Sequence, residues 1–145
     1  MNADFYSQRS IPFPIRPKKV LLVDEEDNYL RMLRLTLEGQ GFEVLTCTTF
    51  QSGIYSLEAE QFDFVVLGQG SKAFEGRPVL ELAMRLDRSR PVLVLTRCID
   101  MNCYLEAMQM GAIDYIEKPI PPVELLRYVQ AHTSSVEYKV KRASA

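Results

Sequence analysis

Five short apolar runs recur along the chain: KVLLVD (19–24), FEVLTCTT (42–49), FDFVVLG (62–68), PVLVLTR (91–97) and DYIEKP (114–119). Runs that stay apolar through their middles suit strands covered on both faces, whereas FEVLTCTT alternates less cleanly and reads as an outer strand. Between the runs the apolar positions recur at three- and four-residue spacing, the mark of a helix burying one face. The sets are Leu30, Leu33 and Leu37; Ile54 and Leu57; Val79, Leu82, Ala83 and Leu86; the segment CYLEAMQM (103–110); and Leu125, Leu126 and Val129. End signals agree with this spacing. Asp27 or Asn28 can cap the first helix and Gly39 or Gly41 stop it; Thr49 or Ser52 opens the second, which ends near Glu60; Gly111 stops the fourth; Pro121 and Pro122 fit the first turn of the fifth.

Strict alternation of strand and helix predicts an open parallel sheet with helices on both faces and right-handed crossovers. In such a sheet, chemistry lies beyond the carboxyl ends of the strands. The proline-rich segment SIPFPIRP has no period of either kind, so residues 1–17 read as an N-terminal arm that Phe13 and Ile15 can dock. The folded unit is expected over 18–132, with 133–145 as a C-terminal tail.

Composition narrows the function classes. A chain of 145 residues is one domain's worth, and a domain of that size buries roughly 70% of its unfolded surface without disulfides or metal. The net charge of −2 offers no field for nucleic acid or an anionic membrane, and the basic residues near the ends (Arg16, Lys18, Lys19; Lys139, Lys141, Arg142) read as solvated tails. Cys47, Cys98 and Cys103 are odd in number and contain no CxxC pair, against a disulfide framework or zinc. The longest apolar runs are far below the roughly 18 residues a membrane span needs. The first ten residues lack the apolar core of a secretory leader, so a cytoplasmic protein is expected. Lone His132 reads as an exposed helix-end residue, and Met84, Met101, Met108 and Met110 as core or interface filler.

At the strand ends stand Asp24-Glu25-Glu26, Gly68-Gln69-Gly70, Thr96-Arg97 and Lys118-Pro119. Gly68-Gln69-Gly70 lacks the lysine and helix start of a phosphate loop and the spacing of a dinucleotide fingerprint. From Lys19 to Gln130 the set resembles the receiver domains of two-component response regulators, the CheY-like family. The resemblance implies a flavodoxin-like three-layer (βα)5 sheet in strand order 2-1-3-4-5. It also implies roles: Asp24 and Glu25 as the acidic pair, Thr96 as the hydroxyl, Lys118 as the lysine before proline, Tyr115 as the switch aromatic, and Glu75-Gly76 as the start of the third helix.

The family's phosphate-accepting aspartate falls at Gly68. Asp63 lies at the start of the same strand and is no substitute. An acyl phosphate needs the carboxylate itself, so the chain reads as a degenerate receiver without enzymatic activity. Asp24, Glu25 and Lys118 sum to −1, and with one ligand missing the expected magnesium affinity at Asp24 and Glu25 is weak at best; no cofactor is expected. Lys118 is instead expected to pair with Asp24 or Glu25. Arg97 is expected to cover the pocket or bridge to Asp24 and Glu25, mimicking an occupied state, with Lys72 beside it. Thr96 then caps a loop, and Tyr115 stays in one rotamer.

The function this implies is phosphorylation-independent signalling through a protein partner. Docking or homodimer formation would use the face of helix 4, strand 5 and helix 5, around Tyr104, Leu105, Tyr115 and Arg127. The alternative is a small-anion or metabolite sensor using the vacated pocket near Gly68 and Lys118. An enzymatic rival would have Ser71 or Glu25 accept a phosphoryl group.

Overall fold

The apolar runs become β1 (Lys19–Val23), β2 (Glu43–Cys47), β3 (Phe64–Gln69), β4 (Val92–Thr96) and β5 (Asp114–Glu117). All pair in parallel, in the order β2-β1-β3-β4-β5. In this computed structural model, which describes residues 16–133 with residue 72 excepted, the crossovers are α1 (Asp27–Glu38), α2 (Phe50–Ala59), α3 (Arg77–Leu86) and α4 (Met101–Met110), and α5 (Pro122–His132) closes the fold. The architecture is the flavodoxin-like three-layer sandwich expected from the alternation and the resemblance. Of the arm and tail, only Arg16, Pro17 and Thr133 are among the described residues.

Successive side chains of a strand point to opposite faces, and this splits the core in two. Leu21, Val23, Val65, Leu67, Val92 and Val94 meet α2, α3 and α4 through Leu57, Val79, Ala83 and Ala107. Val20, Leu22, Phe64, Val66, Leu93 and Leu95 meet α1 and α5 through Leu30, Leu33, Leu37, Leu125 and Val129. The three central strands are buried along their length apart from Lys19 at the start of β1, as the continuous apolar runs require.

Several local expectations change. The first helix is preceded by Glu26, not capped by Asp27 or Asn28, and no side chain caps it, because the Glu26 carboxylate is engaged elsewhere. Thr49 does cap α2, accepting from Ser52 N–H at 3.0 Å. Leu86, placed on the buried face of α3 by its spacing, is half exposed at the helix's last residue. The strand read as 62–68 runs from Phe64 to Gln69, so it starts two residues later and ends one later, with Gly68 inside the ladder opposite Leu95. Asp63 accepts from Lys19 N–H at 2.8 Å and tethers the start of β1.

Gly53 brings α2 down onto β1: a Cβ there would lie 2.9 Å from Val23 Cγ2. Alanine would gain about 1 kcal/mol of helix propensity, but overpacking against a strand that cannot retreat costs about 1–3 kcal/mol. Gly53→Ala should therefore destabilise the fold by about 1 kcal/mol net, read from the urea midpoint. A stabilised variant would show that α2 floats above the sheet.

Candidate functional site

The strand carboxyl ends bring Asp24, Gly68, Thr96 and Lys118 together. Asp24 follows β1 directly, and its N–H still pairs with the Cys47 carbonyl at 3.0 Å, so strand alternation continues through it. Residues 24 and 26 therefore share a side and Glu25 turns away. Asp24 is 4% exposed and Glu25 is exposed. The Glu26 N–H donates to Asp24 Oδ1 at 2.9 Å, folding the chain back so that the Glu26 carboxylate reaches the same centre.

Lys118 Nζ donates to Asp24 Oδ2 at 2.7 Å and contacts Glu26 Oε2 at 2.8 Å. It also lies 5.6 Å from the centroid of the Tyr29 ring, whose hydroxyl accepts from Ile120 N–H at 2.9 Å. The ammonium thus has two carboxylates and an aromatic face around it. Arg97 Nε donates to Glu26 Oε2 at 2.7 Å while its Nη2 pairs with Glu26 Oε1, a two-pronged contact that suits a planar guanidinium. The bond to Arg97 first, then the bond to Lys118, hold the Glu26 carboxyl down at about 2 from its ordinary 4.5.

Two expectations are corrected here. Lys118 pairs with Asp24, as expected, but its second carboxylate is Glu26 rather than Glu25, and Arg97 bonds Glu26 instead of bridging to Asp24 and Glu25. The charge set is therefore Asp24, Glu26, Lys118 and Arg97, which is neutral rather than −1. The physical cause is the alternation at the end of β1, a period of two that counting acidic residues ignores.

The space beside Gly68 is also not vacant. A Cβ at Gly68 would fall inside the carboxylate of Asp24. A free anion near Gly68 and Lys118 would have to displace that carboxylate and its ion pair. Magnesium is the metal the family implies, and the residues do not fit it: Gly68 supplies no side-chain oxygen, both Asp24 oxygens already accept hydrogen bonds, Glu26 is held by two cations, and Glu25 faces out. Among the described residues no group of three or more His, Cys, Asp or Glu is arranged to hold a metal ion.

Thr96 is fully buried; its Oγ1 donates to the Cys98 carbonyl at 3.0 Å and accepts from Cys98 N–H at 3.1 Å, closing the turn after β4. Tyr115 is 3% exposed, so it does not belong to the accessible docking face, whereas Leu105 and Arg127 are exposed and Tyr104 is half-buried. Lys72 lies outside the described residues. Ser71 Oγ donates to Glu75 at 2.8 Å in the loop after β3. Sequence reasoning missed Glu26 and Gln69; the latter is buried at the end of β3 and donates to the Tyr115 hydroxyl at 3.0 Å. The alternation through Asp24 could have found Glu26, but a polar residue next to a glycine gives no sign that it points inward.

The family pattern described as response regulator receiver domain matches residues 20–130. The alkaline phosphatase synthesis transcriptional regulatory protein PhoP of Bacillus subtilis is 29% identical over 114 residues, which are 79% of this chain and 48% of that protein. The transcriptional regulatory protein KdpE of Mycobacterium tuberculosis is 32% identical over 112 residues, 77% of this chain and 49% of that one. The chain therefore spans about half the length of these relatives. The crystal structure of a CheY-like response regulator receiver domain protein from Methanospirillum hungatei superposes with a TM-score of 0.78 at 26% identity, covering 86% of this chain and 99% of that one. Among the described residues no helix is long and apolar enough to cross a membrane.

Removing the ammonium of Lys118 leaves Asp24 charged and buried without a counter-ion, a situation that costs about 3–5 kcal/mol. Lys118→Met should lose about that much in urea unfolding, and Asp24→Asn in the same chain should recover part of it. Arg97→Ala should change stability little, since that guanidinium is 59% exposed. Equal losses for the two single variants would show that the site has no buried end.

The Glu26 shift has a definite sign. A carboxyl held below its ordinary value contributes stability above pH 4.5, and that contribution fades as pH falls towards about 2. The stability difference between the unaltered chain and Glu26→Gln should therefore be full at neutral pH and shrink across that window. A difference that does not vary with pH would contradict the ion-pair geometry.

Proposed function

Because the chain belongs to the response regulator receiver domain family, we propose that it is a degenerate receiver that signals by protein contact without being phosphorylated. The observation that carries this reading is the pairing at Gly68. β3 ends without an acceptor carboxylate, and the Asp24 carboxylate, bonded to Lys118, occupies the place where a side chain would stand. Acyl phosphate formation needs a carboxylate nucleophile, and charge stabilisation of the transferred group needs a cation site and a lysine free to meet it. Here Lys118 is committed to two carboxylates.

On this reading Asp24, Glu26, Lys118 and Arg97 form an internal substitute for cation and phosphate, and the domain keeps one signalling conformation. Glu25 takes no part in it, Thr96 closes its turn, and Tyr115 stays inward. No cofactor is required and no reaction is catalysed; the unit at 18–132 acts as a cytoplasmic binding module between its arm and tail. Its partner is a protein, docked on α4, β5 and α5, where Met101 and Leu105 of α4 are 66% and 48% exposed and Ile99 in the loop before α4 is 51% exposed. The same face serves a homodimer if two copies meet there. PhoP and KdpE are transcriptional regulatory proteins that extend well beyond the matched region; for this chain, such an effector portion would be a contact made on that face rather than a phosphorylation output.

Incubation with acetyl phosphate and magnesium, followed by intact-mass measurement, tests the reading. The unaltered chain should keep its mass, which would also remove Ser71 and Glu25 as acceptors. Gly68→Asp forces Asp24 to a new rotamer and adds an uncompensated carboxylate, so that variant should become thermally stabilised by magnesium while the unaltered chain does not. A stable phosphoryl adduct on the unaltered chain would overturn the proposal.

A further inference from the structure

Gln69 is 2% exposed and lies on the same sheet face as Val65 and Leu67, with Thr96 beside it in the ladder. Its Nε2 donates to the Ser71 carbonyl at 3.1 Å and to the Tyr115 hydroxyl at 3.0 Å. A carbonyl can only accept, so Ser71 fixes which end of the amide faces inward, and both amide hydrogens are used. Gln69 Oε1 has no hydrogen-bond partner and is buried. A buried carbonyl without a partner is costly, so the bonds made by the other end of the amide are where this residue's role is to be sought.

That use is visible in what the amide ties together. The Tyr115 ring stands between Phe74, at 6.3 Å and 71°, and Tyr104 of α4, at 6.0 Å and 86°. Edge-to-face contacts orient the ring, and a buried phenol also needs a partner for its hydroxyl; Gln69 is one such partner, alongside Thr96 and Cys103. Phe74 sits in left-handed backbone at φ 51, uncommon for an aromatic residue, and is 5% exposed, so the loop after β3 is bent to deliver that ring. The Gln69 carbonyl accepts from Arg97 N–H at 3.2 Å, so the same residue borders the ion chain through its backbone and Tyr115 through its side chain. Burial raises the Tyr115 phenol, which stays neutral and able to accept.

We propose that Gln69 is a positioning residue, a latch that joins the loop after β3 to Tyr115 and keeps the α4 edge in a single arrangement. It rests on the reading above, in which no phosphoryl group is present to bias that arrangement, and it supplies the bias from inside the core. The latch acts on the docking face indirectly, through the contact of Tyr115 with Tyr104.

Nuclear magnetic resonance of the full chain tests it. The unaltered protein should show one Tyr115 side-chain rotamer, with cross-relaxation from its ring to the rings of Phe74 and Tyr104. Gln69→Met keeps the length of the side chain and removes both donors; it should lose those ring-to-ring signals and average the rotamer. Gln69→Leu removes the same donors with a shorter apolar side chain and should do the same, which decides the matter if Gln69→Met does not fold. Retention of a single buried ring in either variant would mean packing alone holds it and would overturn the latch, as would several rotamers in the unaltered chain. An acetyl phosphate adduct would instead sink the reading of the site while leaving the rotamer result standing, so the two failures are distinguishable.

Discussion

The interaction on which the rest of the site depends is the bond between Lys118 and Asp24, two charged side chains 4% and 5% exposed at the ends of non-adjacent strands. Neither charge is tolerable there alone, and a single buried pair often fails to recover the desolvation of both ions. The surroundings decide the balance: the second Asp24 oxygen takes a backbone N–H, Lys118 reaches a second carboxylate, and the Tyr29 ring covers it. With each group given more than one partner, the pair ties β1 to β5 across the breadth of the sheet.

Gly68 is a condition of that bond. A side chain on β3 would stand where the Asp24 carboxylate now turns towards Lys118. The side-chain-free position on β3 and the Asp24 pairing are thus one geometric fact, and the neighbouring Gln69 bonds the Tyr115 hydroxyl. On the proposed reading, a receiver site that waits for charge has become one that already contains it.

Much of this was legible in the sequence because it depends on period. The runs of β1, β3 and β4 are apolar through their middles since those strands are covered on both faces, and the order of the sheet follows from the family resemblance carried by Asp24, Thr96 and Lys118. The pairing of Lys118 with an acidic residue at the end of β1 followed from charge alone. Which acidic residue it also meets did not: Glu25 and Glu26 are chemically alike, and only the strand alternation through Asp24, confirmed by the backbone bond to Cys47, selects Glu26. Gln69 was illegible for a different reason. Whether β3 stops at 68 or 69 decides whether that amide is in water or in the core, and a one-residue strand boundary cannot be read from composition.

The ion chain also grades from interior to solvent: side-chain exposure rises from 4% at Lys118 through 32% at Glu26 to 59% at Arg97. Mobile ions reach only its outer end, and at 0.15 M salt they screen charge over about 8 Å. Ionic strength therefore frays the Arg97 link first and leaves the Lys118 end insulated. The site behaves like a shielded cable with one bare terminal, sensitive to the medium at Arg97 while its core setting is not.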